Sequence, residues 1–271
     1  MQARRRHRRN MLVQYEQPNQ HVALIRLNRP EKMNAFSTGL ERDLLTALQR
    51  ACGDEEVRVV VFAGGGKAFS GGWDLAESDL TDPEYHPLSG RAGRHTWLEV
   101  MRTLRRPDKI FIAAVHGWAA GQGVELCVLS DLVVCDETAR FYFAETRVGF
   151  AMTSGTAKML PVLVGMANAR KLALLGQTID GREAHRIGLV VEVTAEGEHE
   201  AAALRLADEA LKGAPLAIAA QKSLLDAGLA MPLEALQDFE VQVSFRLTHT
   251  DDHQEAKRAF AAKRRPSFKG R

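Results

Sequence analysis

Apolar residues fall in short, strongly β-branched runs separated by polar and glycine-bearing segments. The first run, residues 21–27, alternates apolar and polar positions, which is typical of a half-buried β-strand. Three further runs, residues 57–62, 110–115 and 132–135, are continuous and apolar, which is typical of strands buried on both faces. Because segments with helical spacing alternate with these strands, the pattern predicts a layered α/β fold.

A helix is predicted after the first strand. Thr38 and Glu41 have the spacing of a capping box, and leucines follow at helical intervals as far as residue 48. Residues 75–96 are polar and contain two prolines and two glycines, which predicts a loop. Beyond residue 195 alanine and leucine dominate and strand patterns disappear, which predicts a helical C-terminal region.

Composition places the chain among ordinary globular proteins. Of its 271 residues 45% are hydrophobic and 26% are charged, and no apolar run is long enough to cross a membrane. The formal net charge is +2, but five arginines lie within the first nine residues, and without them acidic residues outnumber basic ones by three. We therefore interpret residues 1–10 as a disordered basic tail, and we expect no nucleic-acid or membrane partner. Cys52, Cys127 and Cys135 match no disulfide framework or zinc pattern, which predicts a cytoplasmic protein with reduced thiols and without a metal site.

Two glycine-bearing turns follow two of the predicted strands, at residues 64–74 and 116–125. Glycine allows sharp bends and the close approach of a ligand, and a helix that starts after such a turn directs its free N–H groups at that ligand. Two such turns facing each other can form an oxyanion hole from two backbone donors. Taken singly, each turn is more typical of a plain strand-to-helix connection, and neither has the spacing of a phosphate-binding loop.

Two glutamates lie in otherwise apolar segments. Glu125 ends the second turn, and a carboxylate is rarely placed among apolar residues for packing alone. Glu145 has Arg140 and Arg147 nearby in the sequence, so a simple ion pair is the alternative interpretation there. Two carboxyl groups in apolar surroundings can form a general acid–base pair, although their spacing along the chain does not establish that they meet.

The two turns and the two glutamates together resemble the crotonase superfamily of enoyl-CoA hydratases and isomerases. The resemblance extends from about residue 12 to the end of the chain. Six segments follow the order of the family's motifs: residues 27–35, 67–75, 112–131, 143–149, 181–190 and 259–270. One such motif is weak evidence, whereas six in the right order are specific.

The resemblance implies a fold, a substrate class and an assembly. Residues 11–195 would form a crotonase-like α/β spiral of ββα units, and residues 196–271 a helical region that mediates trimerisation. The expected substrate is an acyl-CoA thioester, and no separate cofactor is expected because coenzyme A is part of the substrate. The expected assembly is a homotrimer or a dimer of trimers.

The resemblance also implies roles for individual residues. The backbone N–H groups of Trp73 and Gln122 would bind the thioester oxygen, and Glu125 and Glu145 fall on the two catalytic glutamates of the hydratases. The main chain of the first turn would follow the adenine and pantetheine, while residues near the first motif and in the last helix would contact the nucleotide end of coenzyme A. The residues expected to contact the substrate are Ala68, Ser70, Gly71, Gly72, Asp74, Lys32, Phe260 and Lys263.

Four positions depart from the family's pattern, and they bear on acyl specificity and on the reaction. Gln122 and Thr153 replace glycines, Trp73 replaces an alanine, and Met152 replaces a proline; Trp97 is expected in the core or the pocket wall. Because both glutamates are retained, we expect a hydratase of 2-enoyl-CoA. The alternatives are an isomerase, which needs one glutamate, a dehydratase or hydrolase of the same superfamily, and a non-catalytic relative that binds acyl-CoA or RNA.

Overall fold

The computed structural model describes residues 11–76 and 96–271, and two sheets organise this part of the chain. The main sheet consists of β1 (Val13–Asn19), β2 (Val22–Leu27), β3 (Val59–Gly64), β4 (Ile110–Val115), β6 (Leu132–Asp136) and β9 (Glu192–Thr194), adjacent in that order. β1 and β2 pair antiparallel, and the other neighbours pair parallel. The smaller sheet has the order β5 (Trp118–Ala120), β7 (Arg140–Tyr142) and β8 (Thr178–Asp180).

Ten α-helices accompany the sheets within the described ranges, so the predicted α/β class is confirmed. They are α1 (Thr38–Gly53), α2 (Thr96–Thr103), α3 (Gln122–Leu129), α4 (Thr156–Val164), α5 (Met166–Leu175), α6 (Gly181–Arg186), α7 (His199–Ala210), α8 (Pro215–Gly228), α9 (Leu233–Leu247) and α10 (Asp251–Ala261). None of these helices combines the length and the apolarity needed to cross a bilayer. The predicted tail at residues 1–10 and most of the predicted loop at residues 75–96 lie outside the described residues.

The main sheet is covered on both faces, which explains its continuous apolar strands. Alternate strand residues such as Ile25 and Phe62 belong to a core shared with α1, α2 and α3. The residues between them, such as Leu24 and Val61, form a second core with the alanines of α7. All six residues of β3 are buried, as the sequence pattern predicted.

The start of α1 differs from the capping box that the sequence predicted. The N-cap residue is Ser37, whose hydroxyl accepts from the Leu40 N–H at 3.2 Å, so Thr38 already lies inside the helix. Glu41 is thereby shifted out of the capping position and is fully buried. The capping box at Thr38 and Glu41 was wrong by one residue, because Ser37 is an equally good cap and burial decides where Glu41 points.

The C-terminal helices divide into one that covers the sheet and others that extend from it. α7 packs on β3, β4 and β6, although it lies beyond the predicted boundary between residues 195 and 196, and that boundary stays a prediction. α8 is tied to the sheet region by Lys222. The Lys222 ammonium group donates to the carbonyl oxygens of Leu104 and Lys109 and to the Asp131 carboxylate, at 2.7 to 3.0 Å.

Candidate active site

The first glycine-bearing turn follows β3 and is braced by Asn34. The Asn34 amide group donates to the carbonyl oxygens of Gly65 and Ala68, each at 2.8 Å, and its side-chain oxygen accepts from the Arg29 N–H at 2.8 Å. Asn34 is buried with a φ of 54°, a left-handed conformation that asparagine tolerates better than most residues. The segment at residues 27–35 therefore holds the first turn in place through the hydrogen bonds of Asn34.

Asp74 closes the first turn through a buried ion pair. Its carboxylate lies 2.9 Å from the Arg29 guanidinium, and both side chains are less than a tenth exposed. Burial alone would raise the pKa of Asp74, but the Ala76 N–H and the Arg29 guanidinium outweigh it and lower the pKa. Asp74 thus fixes the end of the turn as an ionised residue, and its predicted contact with substrate stays a prediction.

The second glycine-bearing turn connects β4 with β5 and α3, and it packs directly on the first. The Ser70 N–H donates to the Trp118 carbonyl oxygen, and the Ala120 N–H donates to the Ser70 carbonyl oxygen, both at 2.9 Å. A Cβ added to Gly72 would lie 2.9 Å from the Ala120 carbonyl oxygen and 3.6 Å from the Cα of Gly121. The two turns that the sequence singled out are therefore in contact.

Part of the main chain that was predicted to follow coenzyme A is used within the protein. The N–H and carbonyl groups of Ser70 bind the second turn, and the Gly71 N–H donates to the Met33 carbonyl oxygen at 2.7 Å. The Ser70 hydroxyl donates to the Asn34 carbonyl oxygen and accepts from the Gly72 N–H. These groups hold the turns in register, and their contact with substrate stays a prediction.

Two backbone N–H groups flank the place where the turns meet. Trp73 follows Gly72, and Gln122 is the first residue of α3, after Gly121 with a φ of 46°. The first N–H of a helix has no intrahelical acceptor, and the helix dipole adds partial positive charge there. Within the described residues, neither the Trp73 N–H nor the Gln122 N–H donates to another group. Both remain available to an oxygen atom of a ligand.

Glu125 is the fourth residue of α3, and both of its carboxylate oxygens accept hydrogen bonds. The Trp97 indole N–H donates to Oε2 at 2.8 Å, and the Thr153 N–H donates to Oε1 at 2.6 Å. The Thr153 hydroxyl lies 3.0 Å from Oε1 and 2.9 Å from Oε2. These donors offset the cost of burying the carboxyl group, which is 3% exposed. Sequence reasoning missed that Trp97 and Thr153 hold this side chain.

Glu145 begins a short 3-10 helix beside the second turn. A Cβ added to Gly121 would lie 3.9 Å from Glu145 Oε1, which brings this carboxyl group to the place where the turns meet. Burial raises the pKa of Glu145, and the charge of Glu125 raises it further. The guanidinium groups of Arg140 and Arg147 donate to backbone carbonyl oxygens, and neither pairs with Glu145 in the described part of the chain. The ion-pair interpretation of Glu145 is therefore wrong.

The Gln122 side chain is directed toward α1, where it meets Glu41. Its amide group donates to Glu41 Oε1 at 3.0 Å. Burial raises the pKa of Glu41 to about 7, although the Gln122 hydrogen bond and the charge of Arg42 oppose this. Sequence reasoning missed Glu41 as a neighbour of the site. The available signal was its spacing, because Glu41 lies three residues before Leu44 on the apolar face of the helix.

The three residues predicted to contact the nucleotide end of the substrate lie in two different parts of the structure. Lys32 is exposed beside the first turn, where its charge contributes to the lowered pKa of Asp74. Phe260 is 88% exposed near the end of α10, and Lys263 follows it on the surface. No hydrogen bond or ion pair connects these two C-terminal residues with the glycine-bearing turns within residues 11–76 and 96–271. The roles of all three residues stay predictions.

Comparison with known proteins identifies relatives over almost the whole chain. The family model for enoyl-CoA hydratase/isomerase matches residues 17–271. A Rhodobacter capsulatus protein named "Probable enoyl-CoA hydratase" is 34% identical over 267 residues, covering 96% of this chain and 98% of that protein. The carnitinyl-CoA dehydratase of Salmonella typhi is 35% identical over 261 residues, covering 93% of this chain and 97% of that protein.

Solved structures agree with the sequence comparison. The crystal structure of enoyl-CoA hydratase from Bacillus anthracis superimposes with a TM-score of 0.87 at 29% sequence identity. The superposition covers 96% of this chain and all of that chain. With its fold, its six motifs and its matched length, the chain belongs to the enoyl-CoA hydratase/isomerase family of the crotonase superfamily.

Proposed function

We propose that this chain hydrates the 2,3 double bond of a 2-enoyl-CoA thioester, with Glu125 and Glu145 sharing the acid–base work. The observation that carries the proposal is the meeting of the two turns, which puts two available N–H groups near the buried carboxyl group of Glu125 and the half-buried one of Glu145. Hydration requires this combination, because a polarised carbonyl and two proton-transfer groups must act on one substrate.

The Trp73 and Gln122 N–H groups would receive the thioester oxygen. As they draw electron density into the carbonyl group, the β-carbon becomes electrophilic and the negative charge that develops on the oxygen is stabilised. One donor of this kind contributes about 3 to 4 kcal/mol to transition-state stabilisation. The position of Gln122 at the start of α3 adds the helix dipole to this effect.

The surroundings of the two glutamates suggest different roles for them. Glu125 accepts from Trp97 and Thr153 on both oxygens, which suits the ionised form that removes a proton from water. Glu145 has a raised pKa, which suits the protonated form that delivers a proton to the α-carbon. The water oxygen forms a bond to the β-carbon as the α-carbon gains the proton from Glu145, so one water molecule is added to the substrate. The proton taken up by Glu125 then returns to Glu145 before the next turnover.

The remaining predicted contacts belong to this proposal. Lys32, Phe260 and Lys263 would contact the nucleotide end of coenzyme A, the last two from a neighbouring subunit of a homotrimer or a dimer of trimers. Exposed apolar and basic side chains at these positions support such a contact. The proposed addition of water needs no metal and no cofactor besides the coenzyme A of the substrate.

Conservative variants of the two glutamates test the proposal. Glu125→Gln and Glu145→Gln keep the side-chain volume but remove the proton-transfer group, so each should lower kcat for crotonyl-CoA by about 100-fold or more. The KM should change little, and circular dichroism should show intact folding. Gln17→Glu, on the exposed strand β1, is the control and should retain full activity. Full activity in folded Glu125→Gln and Glu145→Gln variants would refute the proposal.

Isotope incorporation separates hydration from isomerisation. In ¹⁸O-labelled water a hydratase places solvent oxygen in the product, whereas an isomerase moves the double bond without incorporating it. Because the chain is similar to a carnitinyl-CoA dehydratase, the dehydration of 3-hydroxyacyl-CoA should be measured too. The substrates tested should therefore include 3-hydroxyacyl-CoA and 2-enoyl-CoA thioesters of varied length and branching. A product with a shifted double bond and no solvent oxygen would show that the protein is an isomerase and would refute the proposed hydration.

A further inference from the structure

A fully buried carboxyl group lies behind the oxyanion-hole residue Gln122. Glu41 is on α1, and its side chain has no exposed surface. In the described part of the chain it forms no ion pair, and its hydrogen bond comes from the neutral amide of Gln122. An ionised carboxylate in such a place carries a large desolvation cost that one neutral donor does not offset.

The hydrogen bonding between these two side chains is incomplete when Glu41 is ionised. Gln122 Nε2 donates to Glu41 Oε1, while Glu41 Oε2 and Gln122 Oε1 are both buried without a partner among the described residues. Both of these atoms are acceptors, so neither can satisfy the other. A proton added to Glu41 Oε2 turns that oxygen into a donor, which is the kind of partner that Gln122 Oε1 lacks.

We propose that Glu41 is a positioning residue, which as a neutral carboxylic acid forms a two-hydrogen-bond pair with the Gln122 side-chain amide and thereby holds the Gln122 backbone N–H in place. The proposal rests on the proposed function, in which that N–H binds the thioester oxygen. Glu41 itself would not touch the substrate, since it acts through Gln122.

The electrostatics of the pair favour the neutral form of Glu41 below about pH 7. Burial raises its pKa to about 7. Within the described ranges, the charged residue that acts on Glu41 is Arg42 on the same helix, and its charge favours the ionised form. Arg26 on β2 pairs with Glu200 and Glu16, and Glu99 and Arg102 on α2 pair with each other. None of these charges therefore compensates an ionised Glu41.

The backbone around Gln122 shows why a side-chain restraint would matter. Gly121 precedes it with a φ of 46°, a conformation that glycine adopts more readily than other residues because it has no Cβ. Gly123 follows it, and a Cβ there would lie 2.9 Å from the Ser70 Cβ. Because Gln122 lies between two glycines, its side chain is the one that can anchor the start of α3. A displacement of the Gln122 N–H would weaken the oxyanion hole directly.

Two substitutions of nearly equal volume test the pair. Glu41→Gln retains one donor and one acceptor, as the neutral acid does, and should leave kcat for crotonyl-CoA close to that of the wild type. Glu41→Leu removes both and should lower kcat about 10-fold while leaving KM nearly unchanged, because the donor is displaced and the substrate contacts remain. Equal losses in the two variants, or a loss in Glu41→Gln alone, would overturn the proposal, since the latter would show that a charge is needed.

Infrared spectroscopy tests the protonation state without any substrate. About one pH unit below the pKa of about 7, the spectrum of the wild type minus that of Glu41→Gln should show the C=O stretch of a protonated carboxylic acid. The absence of this band would overturn the proposal even if Glu41→Leu folds poorly. The infrared band reports the protonation state of Glu41 whatever reaction the protein catalyses. It can therefore be present even if Glu125→Gln and Glu145→Gln keep full activity and the proposed function fails.

Discussion

The side chain of Glu125 is oriented by two residues from different parts of the chain. Trp97 comes from α2 and Thr153 from the segment before α4, and together they bind both carboxylate oxygens. A carboxyl group that must meet a water molecule gains from such fixed orientation, because misalignment by about 1 Å can cost about 100-fold in rate. The two donors therefore matter for catalysis in the proposed mechanism as well as for folding.

Removing one of the groups that donate to Glu125 should lower kcat without changing KM. Trp97→Phe keeps the aromatic ring beside Phe36 but removes the indole N–H, and we expect kcat to fall about 10-fold with little change in KM. Steady-state kinetics with crotonyl-CoA measure both constants. Trp118→Phe is the matched control, because that side chain is 40% exposed and should be replaceable without loss. An unchanged kcat in Trp97→Phe would show that the hydrogen bond does not orient Glu125.

The raised pKa of Glu41 predicts a specific dependence of stability on pH. Its pKa rises from 4.5 in the unfolded chain to about 7 in the folded one, so the folded state binds the proton more tightly. The stabilisation is fully present below about pH 4.5 and is lost as the pH rises through about 7, amounting to about 3 kcal/mol.

Urea unfolding of the wild type and of Glu41→Gln at a series of pH values measures this effect. Glu41→Gln does not titrate at this position, so the difference in unfolding free energy between the two proteins should shift in favour of the variant as the pH rises. Other titrating groups affect both proteins alike and cancel in the difference. A difference that is constant across this pH range would contradict the raised pKa.

At the scale of the elements, the site depends on how closely two turns approach each other. Gly72 has a φ of 86° and faces the carbonyl oxygen of Ala120, so both its conformation and its lack of a side chain are needed. The hydrogen bonds of Ser70 to Trp118 and Ala120 set the spacing. A side chain at Gly72 would separate the turns and move the Trp73 N–H.

Two glycine substitutions separate crowding from backbone strain. Gly72→Ala introduces a Cβ 2.9 Å from the Ala120 carbonyl oxygen and should reduce kcat by about 100-fold or more. Gly197→Ala carries the same kind of strain, with a φ of 82°, but its Cβ would meet no atom within 4 Å. The control should therefore lose about 1 kcal/mol of stability and no activity. Steady-state kinetics and thermal unfolding of both variants measure the two effects, and an unchanged kcat in Gly72→Ala would contradict the expected displacement of the Trp73 N–H.

The sequence predicted the elements of the site better than their contacts. The strand at Ile110–Val115 was predicted to the residue, and the one predicted at residues 57–62 was displaced by two positions, because apolar patterning marks burial more sharply than strand ends. The two glycine-bearing turns were identified, but their contact depends on parallel pairing between strands far apart in the chain. The partners of Glu125 and the pairing of Glu41 with Gln122 depend on that packing too, so local patterns could not show them.

At the scale of the whole molecule, the C-terminal helices present apolar side chains to solvent. α9 buries none of its residues against the rest of the described chain. The exposed apolar residues on α8, α9 and α10 include Leu225, Leu233, Val241, Phe245 and Phe260, each between 65% and 88% exposed. Apolar surface of this kind is typical of an interface between subunits, and the number of subunits stays a prediction.

A charge placed on α9 tests whether this surface is an interface. Phe245→Asp should shift the protein from trimer or hexamer toward monomer, because an interface that buries an unpaired carboxylate is strongly disfavoured. Size-exclusion chromatography with light scattering measures the mass. Gln17→Asp, which adds the same charge on the exposed strand β1, should leave the mass unchanged. A monomeric wild type, or a variant of unaltered mass, would contradict the expected assembly.

The position of Trp97 also gives the site an optical property. The chain contains three tryptophans, and two of them lie at the candidate site: Trp73 is part of the first turn and Trp97 is hydrogen-bonded to Glu125, whereas the third, Trp118, is 40% exposed. In a Trp118→Phe variant the remaining indole rings therefore emit from the immediate surroundings of the site. The intrinsic fluorescence of that variant can report on occupancy of the site without any attached dye.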